Sequence, residues 1–378
     1  VTAVRLTFLR PLYERADRFA SVYLETSRAS EDAKQAVPLR WREAREELSQ
    51  AGADPAILDA LGDAVTSPDL SAPGAAAFGG AGAALLTVRL PEAPLRETTR
   101  WSPLPDLLPL LLQSPPRPPH LLVSATLAGG AIVAVRTEDD VTRQAVHGTG
   151  WPVHKTGVGG WSARRYERSV EEAWETNAKE LADAVVQAAG GASLEAIVVT
   201  GDTRAVNLLI DKLPTDLAGK VVTVDRELDI DSDELAEAAD DALRQLEDDE
   251  ARSQLETFRN QAGTGRGVEG LAETVAALRD GQVAALFVGG RYLDGDRRAP
   301  ELSWASETAW VGPGLADVGL AEADLRDRGV TEVAEDQVAA ALIRAAVGTD
   351  ADLFLVPESE TPPQDGIGAL LRYAVPGA

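Results

Sequence analysis

The stretch Leu121 to Arg136, LLVSATLAGGAIVAVR, is two short apolar runs separated by Ala128-Gly129-Gly130. Small and β-branched residues on either side of a glycine pair predict two strands joined by a tight turn. DVTRQAVHG, from Asp140 to Gly148, supplies a third strand. Beyond it, Tyr166, Val170, Trp174, Asn177, Leu181 and Val185 recur at helical spacing, and Gly190-Gly191 marks the end of that helix. A strand (EAIVVTG), a helix opening at Asp202, a further strand (KVVTV) and an acidic helix from about Ser232 follow. The order is β-β-β-α-β-α-β-α, so this part of the chain is a mixed α/β domain.

That order resembles ribonuclease-H-like folds, and the flanking sequence bounds it. SPPRPPH, Ser114 to His120, forbids both helix continuation and ladder pairing. Upstream, the pattern predicts a short helix from Leu12 to Phe19, the alternating strand FASVYLET, and a helix from about Pro38 to Gln50. A second helix follows with Asp54 as N-cap and Pro55 at its first position, then a glycine-rich turn between strands in SAPGAAAFGGAGAALLTVRL. Downstream, GTGRG (Gly263 to Gly267) reads as a linker into a helix beginning near Val268. After it come a buried strand VAALFVGG, a hairpin-like segment with Trp304 and Trp310, a helix EDQVAAALIRAA, a strand ADLFLVP and a last amphipathic piece GIGALLRYAV. The expected fold class is α/β (α+β) in three domains. These are an N-terminal domain over 1–115, a ribonuclease-H-like domain over 116–250 and a small α/β sandwich over 251–378.

A net charge of -25 over 378 residues repels nucleic acid and anionic lipid on average, so any RNA contact has to be local, and no DNA partner is expected. With Cys 0 and His 3, thiolate chemistry, disulfides and multi-histidine metal sites are not expected, nor is a cofactor. The N-terminal residues are interrupted by Arg5, Arg10 and Arg15 and do not read as a signal peptide. LPDLLPLLLQ is broken by Pro109 and too short to span a bilayer. The expected location is the cytoplasm, away from membranes.

A ribonuclease-H-like order raises two-metal nuclease chemistry, which needs carboxylates clustered at strand ends. LLVSATL carries none, and Asp202 and Asp225 stand where a helix cap or turn carboxylate belongs. The glycines at 157, 159 and 160 lack the Gly-Lys-Ser/Thr of a phosphate loop, and they follow antiparallel strands rather than a βαβ unit. His120, His147 and His154 have no serine or carboxylate in triad relation and read as structural or solvent-facing.

TGVGGWSARRY, Thr156 to Tyr166, differs from its surroundings. His154, Lys155, Arg164, Arg165 and Arg168 gather there, with Glu167 the only acid between Val153 and Val170. Such a spot can bind phosphates while Trp151 and Trp161 stack on unpaired bases. Equally, Trp161 can fold back on the helix and the arginines pair with Glu171, Glu172 and Glu175. Composition leaves both open.

KTGVGGWSARRYERSVEEAWETNAKELADAV resembles the tip loop and following helix of the archaeal and eukaryotic class-1 release factors, where Gly-Gly-Gln precedes Ser-Ala-x-Arg-Phe. Gly159-Gly160, Ser162-Ala163 and Arg165 match, Tyr166 stands for the aromatic, and Trp161 replaces the glutamine. LYERADRFASVYLETSR and DGIGALLRY resemble the bacterial branch of this superfamily, which includes the ribosome-hibernation factor Balon and is related to Pelota. Neither an Asn-Ile-Lys-Ser motif nor a cysteine-containing stop-codon motif is present. In the family the glutamine positions water at the peptidyl ester; Trp161 has only a donor N–H and cannot orient that water.

The resemblance therefore implies a tRNA-mimicking, non-catalytic factor that occupies the ribosomal A site, near the peptidyl-transferase centre, in hibernation or translation stress. Its implied contact residues are Lys155, Gly157, Gly159, Gly160, Trp161, Ser162, Arg164, Arg165 and Arg168. A GTPase of the EF-Tu type is an implied partner. The alternatives are a peptidyl-tRNA hydrolase or tRNA-releasing enzyme using His154 or Arg165, and a non-ribosomal interaction protein using the acidic helix.

Overall fold

Asp54 and Pro55 show how directly local chemistry sets an element: the Asp54 carboxylate accepts the Ala56 N–H at 2.7 Å, and Pro55 begins the helix behind it. The computed structural model describes residues 1–14, 18–28, 30–70, 72–82, 85–113, 117–136, 140–149, 160–190, 194–262, 264–289, 307–357 and 359–373, with backbone alone at 31–34 and 160–167. The chain opens with β1 (Thr2–Val4), a 3-10 turn (Thr7–Tyr13), β2 (Phe19–Glu25), α1 (Glu31–Gln50) and α2 (Pro55–Thr66). There follow β3 (Gly74–Gly80), β4 (Leu86–Leu90), β5 (Thr98–Ser102) and α3 (Leu108–Gln113). Next come β6 (His120–Thr126), β7 (Gly129–Val135), β8 (Val141–His147), α4 (Gly160–Ala189), β9 (Ala196–Gly201), α5 (Thr203–Lys212), the short α6 (Thr215–Ala218) and β10 (Val221–Thr223). The acidic helix α7 spans Asp233–Gln261. The remainder is β11 (Gly267–Glu269), α8 (Leu271–Arg279), β12 (Val283–Gly289), β13 (Thr308–Val311), β14 (Val318–Gly319), α9 (Glu322–Arg326), β15 (Ala334–Gln337), α10 (Val338–Gly348), β16 (Asp352–Val356) and β17 (Ile367–Leu371).

Where the sequence divides the chain in three, it packs as two compact units: Pro116–Glu247, and Val1–Pro115 together with Asp248–Ala378. The merger has visible causes. β1 pairs antiparallel with β16, making the first residues an edge of the sheet β1-β16-β12-β17-β11. Leu9, Leu12, Phe19 and Tyr23 share one hydrophobic core with Val338, Leu342, Leu353 and Ile367. The buried Asp336 carboxylate accepts from the Arg100 guanidinium and from the Leu104 N–H at 2.6 Å. In the same unit, α1 and α2 cover one face of the sheet β4-β3-β2-β5.

Local pattern misplaced several pieces here. Phe19 opens a strand instead of closing a helix, because β2 pairs on both sides, with β3 and β5. Helix α1 begins at Glu31, ahead of Pro38, which lies inside it. GTGRG leads into strand β11 rather than a helix at Val268; β11 pairs with β17, and α8 starts at Leu271. The Glu335, Asp336 and Gln337 of EDQ all belong to β15, and GIGALL contains β17, whose five residues are all buried between β12 and β11.

The Pro116–Glu247 unit follows the expected order. Its sheet runs β10-β9-β6-β7-β8, with β6, β7 and β8 antiparallel and β9 parallel to both β6 and β10. Leu121, Val123 and Ile132 pack on one face with Leu181 and Val185 of α4 and Leu209 of α5. Leu122, Val133 and Val198 pack on the other with Leu235 and Ala239 of α7. From Asp248 onward α7 belongs to the unit formed with Val1–Pro115, where its Ala251, Leu255 and Phe258 are buried with Phe287 and Phe354. The acidic helix thus carries a buried apolar stripe beneath its solvated face.

Candidate functional site

Helix α4 is the element that carries the glycine-tryptophan-arginine motif. Its backbone runs through Gly160, Trp161, Ser162, Arg164 and Arg165, all in its first two turns, and Arg168 follows, exposed to solvent. Lys155, Gly157, Gly159 and His154 lie outside the described residues, as does Trp151. From Arg168 onward the first buried side chain is Ala173. At 1.5 Å per residue the helix start stands about 20 Å along the axis from Ala173.

Two sets of contacts hold this rod. On its flank, the Arg204 guanidinium of α5 lies 4.4 Å from the Trp174 ring centroid and pairs with Glu171 at 3.0 Å, while Lys212 pairs with Glu175 at 3.7 Å. Glu171 and Glu175 are two of the three carboxylates that the sequence offered as partners for the tip arginines; α5 occupies both. Sequence reasoning missed Arg204 and Lys212, and their spacing of eight residues on one helix was the available signal.

At the end of β8, the chain is drawn against the middle of α4. The Thr149 N–H donates to Glu180 Oε2 at 2.8 Å and the Thr149 hydroxyl donates to Oε1. These two bonds hold the Glu180 carboxyl below the ordinary carboxylate range. The buried Asn177 donates from Nδ2 to the Leu127 carbonyl at 2.9 Å, tying the β6–β7 turn to the same stretch of helix. Gly148 allows the approach, since a Cβ there would lie 2.1 Å from Asn177 Oδ1. Gly129, in the turn, has φ +133°, and a Cβ would lie 2.2 Å from the Val146 carbonyl oxygen.

The residues weighed for other chemistry have structural partners. Asp202 caps α5, accepting from the Arg204 and Ala205 N–H groups at 2.9 and 3.1 Å. His120 is buried, with Nδ1 2.9 Å from the Pro118 carbonyl, and burial lowers its pKa. His147 and Asp225 are exposed. Among the described residues no three His, Asp or Glu side chains gather as a metal site. None of the described helices is long and apolar enough to cross a membrane.

The architecture at this site is a mixed five-stranded sheet followed by a long helix opening on Gly-Trp-Ser-Ala-Arg-Arg, the motif that resembles the release factors. Residues 119–264 match the family model of the bacterial archaeo-eukaryotic release factor family 2. Two uncharacterised proteins of Mycobacterium tuberculosis, Rv2629 and MT2704, are each 30% identical over 380 residues, spanning 97% of this chain and 96% of theirs. The chain belongs to this bacterial branch of the archaeo-eukaryotic release factors. Among solved structures it is similar to an archaeal translation termination factor, aRF1 (17% identity, 97% of this chain and 96% of that one, TM-score 0.24). It is also similar to Pelota of Archaeoglobus fulgidus (14% identity, 80% of each chain, TM-score 0.32). Membership rests on the family model and the mycobacterial relatives.

Proposed function

We propose that this protein is a non-hydrolytic, tRNA-mimicking ribosome-binding factor that occupies the A site during hibernation or translation stress in the cytoplasm. One observation carries the reading: in a chain of the release-factor family, Trp161 stands where the hydrolytic glutamine is expected. An indole offers a single N–H donor and no acceptor, so it can donate to a water but cannot accept its proton or orient it for attack on an ester as an amide does. The paired glycines and the basic residues are retained, so the segment keeps the means to approach RNA without the group that would cut the ester.

The remaining features agree with this. The acidic body disfavours nonspecific RNA, leaving contacts to Lys155, Arg164, Arg165 and Arg168, with Trp161 stacking or wedging in ribosomal RNA near the peptidyl-transferase centre. Glu171 and Glu175 are engaged by α5, which favours an RNA-facing role for the tip arginines over internal pairing. A GTPase of the EF-Tu type is the proposed delivery partner.

Two measurements test the proposal. Purified protein should pellet with ribosomes, and in a single-turnover assay it should release no peptide at a stop codon. Failure to pellet removes the ribosomal reading; release at the rate of a bacterial release factor makes the protein an enzyme.

A further inference from the structure

The Gly148–Thr149 strand end and the Asn177–Glu180 turn of α4 meet at an unusually committed junction. Glu180 lies outside the hydrophobic core, yet both its carboxylate oxygens are given to one residue, Thr149: Oε2 to the amide at 2.8 Å and Oε1 to the hydroxyl. Three residues earlier on the same helix face, Asn177 takes the Leu127 carbonyl at 2.9 Å and fills the space in which a Gly148 side chain would sit. The Gly148 N–H in turn donates to the Ala128 carbonyl at 2.8 Å. The β6–β7 turn, the end of β8 and one turn of α4 are therefore fixed to one another at Thr149, just beyond β8.

We propose that Glu180, through Thr149, is a positioning residue: with Asn177 and Gly148 it forms a root clamp that fixes where the chain leaves the sheet and so sets the affinity of the tip for ribosomal RNA. This rests on the ribosome-binding reading above. A segment released from a fixed root samples more positions when free and gives up that freedom on binding. The clamp touches no RNA itself, so its loss weakens binding without removing a phosphate contact. Affinity then falls while the salt dependence stays, because the number of counterions released is unchanged.

The test uses the full-length chain and Glu180→Ala, an exchange that places a good helix former on α4. Ribosome pelleting across a potassium series should show affinity reduced by roughly three- to tenfold, the range expected for one or two newly mobile groups, at unchanged salt slope. Glu180→Gln, which keeps an acceptor for the Thr149 amide, should recover most of the affinity. In the free protein, amide exchange at Thr149 should be slow in the wild type and fast in Glu180→Ala, with circular dichroism unchanged.

Wild-type affinity in the folded Glu180→Ala variant overturns the proposal whatever the Thr149 exchange, as does a changed salt slope, which would make Glu180 part of the RNA contact. If the wild type does not pellet with ribosomes, it is the function that fails. The clamp is then judged on exchange alone: protection lost in Glu180→Ala supports a fixed root, and no difference refutes it.

Discussion

The Arg204 guanidinium lies 4.4 Å from the centroid of the Trp174 indole while its Nη2 pairs with Glu171 at 3.0 Å, so one side chain of α5 braces two positions about one turn apart on α4. Both ion-pair partners are more than half exposed, so the contact is screened and modest; about 0.5–1 kcal/mol is the scale of an exposed cation–π pair. Arg204→Ala should lower the stability of the Pro116–Glu247 unit by about that amount and alter Trp174 fluorescence, whereas Arg204→Lys recovers the charge but little of the stacking. Urea titration followed by fluorescence distinguishes them.

Asp336 is the opposite case. Its side chain is fully buried and accepts from Arg100, from the Leu104 N–H and from the Gln337 N–H. Removing one partner of a buried pair leaves the other uncompensated, at a cost of about 3–5 kcal/mol. Asp336→Ala should destabilise the unit formed by Val1–Pro115 and Asp248–Ala378 by roughly this amount. Chemical denaturation with probes in each unit should show the loss confined to that one.

His120 makes stability depend on pH. Its imidazole is buried and its pKa lies below the ordinary value of 6.5, chiefly through desolvation, with Arg117 adding to the lowering and Asp240 and the Pro118 carbonyl opposing it. Below about pH 6.5 the unfolded chain binds a proton that the folded one resists, so this contribution is complete above that pH and declines as pH falls. Thermal midpoints between pH 7.5 and 5 should drop more steeply for the wild type than for His120→Gln.

The shared core of the first and last segments predicts the behaviour of a nicked chain. Proteolysis between residues 114 and 119 should leave the N-terminal fragment bound to the remainder on native gel filtration, since β1 remains paired with β16 and Leu9, Phe19 and Tyr23 remain packed with Val338 and Leu342. A fragment that elutes alone would contradict a common unit.

For the tip, Arg164→Glu with Arg165→Glu should weaken ribosome binding and flatten its salt dependence, because each lost phosphate contact withdraws released counterions. Trp161→Ala should cost affinity at constant salt slope, stacking being counterion-neutral. Trp161→Gln alone should create no release activity, since the N-terminal part lacks the stop-codon motifs. Pelleting across a potassium series and a single-turnover release assay read these outcomes.

By itself the sequence determined the middle unit. Its strands β6, β7 and β9 are largely apolar runs, Asp202 caps α5, and β6–β7, β7–β8 and β9–β10 are neighbours both in the chain and in the sheet, so local periodicity and turn chemistry were enough for most of the order. The motif at the start of α4 was equally legible, because Gly-Gly, Ser-Ala and Arg are chemistry written in consecutive residues. What only the tertiary structure decided were relations between distant residues: β1 as an edge of a sheet built some 350 positions later, β17 as a buried inner strand, the carboxylate of Asp336 beneath Arg100, and Glu180 holding Thr149 across 31 residues. Pairing across such separations depends on which surfaces remain to be buried once the local elements exist, and a one-dimensional pattern does not encode that choice.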